Sequence, residues 1–183
     1  MKKMILLSAG VLLIGQGLSS CKKVIKTVFG GTDITVASFS VTVPAVPVVT
    51  SYELEVGTYS YSFNLDSAVR ASTAGLFGAG AVNSVKVKQV LIHISNSDSL
   101  NNLANFDSAL VTLVSNTNNN PVNLFDLGFP DNPSSDYTET PTSGPELISY
   151  LKGSTLTFTL YGMMRRPTTK ALDLTITVTI RAD

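Results

Sequence analysis

The chain has one histidine, His93, and one cysteine, Cys21, among 183 residues, and these two counts bound its chemistry before any fold is considered. A Ser-His-Asp hydrolase would need His93 as its base. That residue sits between Ile92 and Ile94 in an alternating apolar run, the place of an outward side chain on a strand, and no Gly-x-Ser-x-Gly elbow presents a nucleophile. Zinc needs clustered His, Cys or carboxylate ligands, and one histidine supplies almost no material for a site. Calcium has more to work with, because Asp126, Asp131, Asn132, Asp136 and Glu139 place hard oxygens in one region. Their spacing matches no EF-hand, however, and reads as a solvated acidic loop. No catalytic residue, cofactor or metal ligand is assigned.

Three further stretches invite functional readings. Gly75-Leu76-Phe77-Gly78-Ala79-Gly80 has the glycine content of a phosphate cradle, but the Walker Lys-[Ser/Thr] and the strand a Rossmann turn needs are missing. Extended to Val82, the same segment is apolar enough for a membrane-inserting role. A helix ending in flexible glycines under the edge of a sheet explains it more simply. Tyr59, Tyr61 and Phe63 alternate with Ser60 and Ser62, so the aromatic face is either a platform for sugar rings or the core side of a strand. The serines opposite favour the core. Arg165-Arg166, beside Pro167, forms a candidate anion or partner contact at a loop tip, where arginines also simply solubilise.

The elements that must position these residues are mostly strands. Alternation predicts strands over Ile34–Val43 with a bulge near Ala37-Ser38, Thr58–Asn64, Val85–Ser95 with a bulge at Lys88-Gln89, Ser108–Ser115, Thr155–Tyr161 and Ala171–Arg181. Val46–Tyr52, between prolines, reads as an edge strand or extended crossover. The last two strands are expected to pair as a hairpin. Short helices are expected from Asp66, as N-cap, to Phe77, and around Leu147-Ile148-Leu151, where Ser143 and Glu146 have capping-box spacing and Gly153 supplies the stop. Asn116–Pro121 and Pro130–Pro145 read as loops. Together these give a mostly β fold: an antiparallel sandwich, immunoglobulin-like or jelly-roll-like, of about seven strands with two short helices.

The first 21 residues carry a separate message. Lys2 and Lys3 precede an apolar run, Met4–Ile14, too short to span a bilayer, and the segment ends Leu18-Ser19-Ser20-Cys21. It resembles the signal peptide of bacterial lipoproteins, whose lipobox ends in a cysteine after small residues. The resemblance covers this segment only. It implies cleavage after residue 20, diacylation of the Cys21 sulfur and acylation of its amine, palmitate among the attached chains, so that two or three chains hold the membrane. Residues 21–31 would then be the lipidated cysteine and its tether, and 32–183 one domain.

Removing the first 20 of 183 residues leaves 163, with 11 basic side chains against 13 acidic once Lys2 and Lys3 are gone. That balance attracts no nucleic acid. With Cys21 acylated no internal disulfide can form, so packing alone must hold the domain. The Ser/Thr/Asn-rich composition is loosely similar to Bacteroidetes-type envelope lipoproteins, among which surface export often follows an acidic stretch after the cysteine. Here Lys22-Lys23-Val24-Ile25-Lys26 is basic, which favours the periplasmic side of the outer membrane. The expectation is a non-enzymatic module of the bacterial cell envelope, held to the membrane at Cys21 and meeting an envelope protein or glycan. The alternatives are a hydrolase with an unrecognised site and a membrane-interacting protein using Gly75–Val82.

Overall fold

Alternating burial dictates the layers. The computed structural model describes residues 28–49 and 51–183, so the expected signal segment, Cys21 and the expected tether as far as Thr27 lie outside the described residues. The strands are β1 (Thr32–Val43), β2 (Leu54–Ser62), β3 (Val85–Ile94), β4 (Phe106–Ser115), β5 (Asn118–Gly128), β6 (Asp136–Glu139), β7 (Thr155–Met164) and β8 (Leu172–Ala182). Between β2 and β3 lie the helix α1 (Leu65–Ser72) and a 3-10 turn, Ala79–Ala81, and a second such turn, Leu103–Asn105, precedes β4. On β8, Leu172, Leu174, Ile176, Val178 and Ile180 are buried while the residues between them are not; on β7, Leu156, Phe158 and Leu160 do the same. Period-two burial of this kind gives each sheet one apolar face.

Two four-stranded antiparallel sheets result, ordered β1-β8-β3-β6 and β2-β7-β4-β5. Each interleaves strands from the two halves of the chain, which is the winding of a jelly roll. The aromatic side chains close the flanks. Phe39 of β1 stacks on Tyr59 of β2 at 5.2 Å and on Phe158 of β7 at 5.7 Å, while Phe129 meets Phe106 at 5.9 Å and Tyr137 at 5.1 Å. On the outer faces, hydroxyls pair across strands, as in Ser38 with Thr177, Thr58 with Thr159 and Ser60 with Thr157. These pairs give Thr58, Thr157, Thr159 and Thr177 cross-strand partners.

The registers sort the connections to two ends. Thr32 pairs with Ala182, Ser62 with Thr155 and Ser115 with Asn118 at one end; Val43 pairs with Leu172, Ser108 with Gly128 and His93 with Asp136 at the other. The chain enters the sandwich at the first, or near, end. There Phe29 buries its ring against Phe77, at 5.2 Å, and Arg181 donates to the Gly30 carbonyl. Gly31 has φ +78°, in the left-handed region, so this turn into β1 favours glycine. Residues 63–84, 116–117 and 140–154 also lie at the near end. The second, distal end carries 44–53, 95–105, 129–135 and 165–171. The 12 residues of β1 separate the two ends by roughly 35–40 Å.

Several local expectations change. The β1 bulge falls between Thr35 and Ala37, one residue earlier than predicted, whereas the β3 bulge lies between Val87 and Gln89, as predicted. Val46–Val49 and Ser51–Tyr52 form no strand. Residues 118–121 and 136–139, expected to be loop, lie in the edge strands β5 and β6, and residues 122–128, given no element by the sequence, complete β5, so the described residues hold eight strands where about seven were expected. β7 and β8 do not form a hairpin: they lie in different sheets, joined by an arch over the distal end.

The two expected helices also change. The N-cap of α1 is Asn64, whose Oδ1 accepts from Ser67 N at 2.8 Å; Asp66 instead pairs with Arg70 and accepts from Ala79 N. Residues 147–152 form a single turn and no helix. The acid of the expected capping box is used elsewhere. Glu146 accepts from Ser84 Oγ and Val85 N, both at 2.7 Å, and from Ile148 N at 3.1 Å.

Glu146 thus ties the 140–154 connection to the start of β3. Burial alone would raise its pKa, but the Ser84 hydroxyl and the backbone N–H groups of Val85, Ile148 and Leu147 together outweigh burial and hold the carboxyl below its ordinary 4.5. A depressed carboxylate contributes stability that is complete above the unfolded pKa and is lost as pH falls through the folded one. Glu146 is exposed, so solvent screens part of this contribution, and Glu146→Gln should cost less than about 1 kcal/mol at pH 7. In urea unfolding across pH, the gap to the wild type should close below about pH 4.5. An equal gap at pH 3 would contradict the assignment.

Candidate functional site

The distal end gathers the polar side chains that the sandwich does not need for its two faces. Its centre is an asparagine knot between the 95–105 and 165–171 connections. Asn101, Asn102 and Asn105 are all buried, at 2, 5 and 4 % exposure, which polar side chains tolerate only when their hydrogen bonds are made. Asn105 Nδ2 donates to Leu100 O and Pro167 O, and its Oδ1 accepts from Asn102 N. Asn102 Oδ1 accepts from Ala104 N in return, the reciprocal pattern of a capping box around Leu103–Asn105. Asn101 reaches across to Thr169, accepting from its N–H at 2.8 Å and donating to its hydroxyl at 3.0 Å.

Asp98 starts the knot. Its carboxylate accepts from Leu100 N, Asn101 N and Asn101 Nδ2, and it pairs with Lys170 at 2.6 Å. Lys170 first, then the Asn101 amide and the backbone donors, holds this carboxyl well below the usual carboxylate range.

Beside the knot, Arg165 donates to Asp107 at 2.9 Å and to the Phe129 carbonyl at 2.8 Å, and Arg166 pairs with Asp131 at 2.6 Å. The expected pair of exposed arginines is therefore a clamp joining the 129–135 connection to the end of β7. Arg165 is three-quarters buried, its Nη1 has no hydrogen-bond partner, and Asp131 Oδ1 is 3.9 Å away. With both guanidinium groups facing aspartates, the clamp offers no net positive site for an anion.

His93 lies on the outer face, with Nδ1 2.7 Å from Asp136 Oδ1. Ser135 Oγ donates to the other oxygen of the same carboxylate, and Ser135 first, then His93, lowers the Asp136 pKa. A hydrolytic triad needs the hydroxyl on the imidazole nitrogen opposite the acid. Here the hydroxyl is on the acid. Among the described residues no serine or threonine hydroxyl hydrogen-bonds the His93 ring.

The acidic residues considered for calcium do not converge. Asp126 faces solvent from β5, Asp131 is engaged by Arg166, Asp136 by His93 and Ser135, and Glu139 accepts from Tyr137 Oη at 2.8 Å. Burial first and Glu139 second push Tyr137 up to about 12. Among the described residues no group of three or more His, Cys, Asp or Glu side chains is placed to hold a metal ion. The aromatic trio also separates: Phe63 is buried, Tyr59 packs on Phe39 and Tyr61 is 43 % exposed. They form no shared platform. In the Gly75–Val82 segment, Phe77, Ala81 and Val82 pack into the core and Leu76 is 79 % exposed. Among the described residues no helix is long and apolar enough to cross a membrane. Cys21 lies outside the described residues.

Sequence reasoning missed the knot because Asp-Ser-Leu-Asn-Asn-Leu-Ala-Asn, residues 98–105, has the composition of a solvated turn. The available signal was the Asn102/Asn105 spacing of a capping box before a buried run.

No protein-family model matches the chain, and no curated protein matches it. Among solved structures, the chain is similar to the family 32 carbohydrate-binding module from C. perfringens NanJ in complex with galactose, at 8 % identity and a TM-score of 0.35, covering 81 % of this chain and 99 % of that one. The Triatoma virus empty capsid follows at 10 % identity and 0.32, covering 83 % and 87 %. The decameric BFDV capsid protein gives 8 % and 0.30, covering 84 % and 98 %. At these values no ligand or activity passes from those proteins to this chain, and the fold assignment rests on its own strand order.

The knot predicts a measurable cost. Asn105→Ala removes the donor to two part-buried carbonyls and leaves the buried Asn102 N–H without its acceptor, so it should destabilise the domain by about 1–3 kcal/mol. Urea unfolding should show this as a lower midpoint with an unchanged slope. A variant as stable as the wild type would contradict the role given to Asn105.

Proposed function

We propose that the chain is a lipid-anchored protein of the bacterial cell envelope, held to the membrane at Cys21. In this proposal it works without catalysis, through contacts that the distal end of its sandwich makes with another envelope protein or a glycan. The observation that carries the anchor is the segment Lys2–Cys21, with its charged start, short apolar run and Leu-Ser-Ser-Cys end. Two features of the fold support the orientation. The described chain enters at the near end, at Phe29–Gly31, and the four distal connections lie a full strand length away. A tether from Cys21 would therefore turn the distal end away from its own bilayer. Loops braced on a rigid sheet are the usual carriers of recognition; the knot and the arginine clamp brace three of these, and Val46 bonds Thr168 to hold the fourth.

The proposed location is the outer membrane, on its periplasmic side. The hydroxyl placement around Asp136 favours a binding role over hydrolysis. The anchor is tested by labelling cells with a clickable palmitate analogue and fractionating them. Wild-type protein should take up the label and sediment with membranes, and Cys21→Ala should do neither. A Cys21→Ala protein that stays with the membranes, labelled or not, would overturn the anchor.

A further inference from the structure

Leu76 is the most exposed large apolar side chain among the described residues, at 79 %, and it lies where the chain enters the sandwich. Val28, 65 % exposed, lies there too. Each is the chain neighbour of one ring of the Phe29–Phe77 pair, whose centroids are 5.2 Å apart, so the two flank a single ring contact at the near end.

Single exposed apolar residues are ordinary on a surface, but the backbone under Leu76 is built. Ala74 has φ +50° and Gly75 φ +81°, both in the left-handed region, which a residue with a Cβ occupies at a cost. Gly75 N donates to Arg70 O at 2.7 Å, Leu76 N to Thr73 O at 3.0 Å and Phe77 N to Thr73 Oγ1 at 3.2 Å. The Thr73 hydroxyl donates in turn to Val69 O at 2.7 Å. This braced turn packs Phe77 against the core and leaves Leu76 in solvent.

Covalent reach points to what covers it. Seven residues along the chain separate Cys21 from Val28, and an extended chain spans at most about 3.6 Å per residue, so with Cys21 acylated Val28 could stand no more than about 25 Å from the lipid attachment. That is shorter than the roughly 35–40 Å between the two ends of the sandwich. Charge does not oppose contact with anionic headgroups. Asp33 is paired with Lys88 and Arg181, Asp66 with Arg70 and Asp183 with Arg181, and Lys152 is exposed at the same end.

We propose that Leu76, with Val28 beside it, enters the headgroup–acyl boundary of the bilayer to which Cys21 is attached. The near end is then a second membrane contact, buried about 5–10 Å at its tip, and it fixes the tilt of the domain. The inference rests on the proposed anchor, and its test separates the two.

The wild-type acylated protein, with methyl-labelled leucine and valine, is placed in lipid nanodiscs containing phosphatidylglycerol. One sample carries a phospholipid spin-labelled near the top of its acyl chain and another a water-soluble gadolinium chelate. Leu100 and Val48, each 69 % exposed and both at the distal end, are internal controls of similar exposure. The lipid label should broaden the Leu76 and Val28 methyl signals at least threefold more than those of Leu100 and Val48, and the chelate should broaden Leu76 at least threefold less than Leu100. Protein that does not enter the discs would overturn the anchor and this inference together. Protein that enters them would overturn this inference alone if the chelate broadens Leu76 as strongly as Leu100, or if the lipid label broadens Leu100 as strongly as Leu76.

Discussion

The burial of two apolar sheet faces against each other is the interaction on which everything else in this protein depends. Its only cysteine is Cys21, so no intramolecular disulfide can share the load. The central strands β8 and β7 carry most of it. β8 lies between β1 and β3, β7 lies between β2 and β4, and both put a large apolar side chain inward at nearly every second residue. Fully burying one such side chain is worth about 1.5–3 kcal/mol. The sum must exceed the chain entropy of a domain this size, which leaves little tolerance for a polar residue facing inward.

The same constraint separates the two ends of the molecule. The faces are committed to packing inside and to hydroxyl pairs outside, so polar density accumulates in the connections. The near end uses Glu146, Arg181 and Gly31 to fasten the entering chain and the 140–154 connection to the first sheet. The distal end uses buried asparagines and charge-paired arginines to fix residues 95–105, 129–135 and 165–171 against one another, and Val46 and Thr168 tie in residues 44–53 through two backbone N–H donors. Under the proposed anchoring at Cys21, braced connections at one end and entry of the described chain at the other would present a defined surface at a distance from the membrane.

How much of this was legible in the sequence follows from where alternation survives. The β1, β3, β4, β7 and β8 segments keep a period of two, with the β1 and β3 bulges visible as phase shifts, and the sequence places them to within a few residues. β5 was hidden because its register shift near Leu124 puts Leu124 and Phe125 both inside, and because Pro121 reads as a strand breaker. An edge strand tolerates that proline. β6, four residues long, is too short to show a period.

The arch between β7 and β8 was missed because both strands have one apolar face. Alternation cannot say whether those faces join one sheet or oppose each other in two. The asparagine knot resembled solvent-exposed turn, since composition does not reveal that partners lie some 60 to 70 residues away in the chain.

The central claim is that contact is made at the distal end. The most direct measurement is site-specific photo-crosslinking in intact envelopes, with the crosslinking residue placed at Asn132 or Val48 in the distal connections, or at Gly144 in the near ones. The account predicts a discrete adduct from Asn132 and Val48 and none from Gly144. Adducts from Gly144 alone would contradict it.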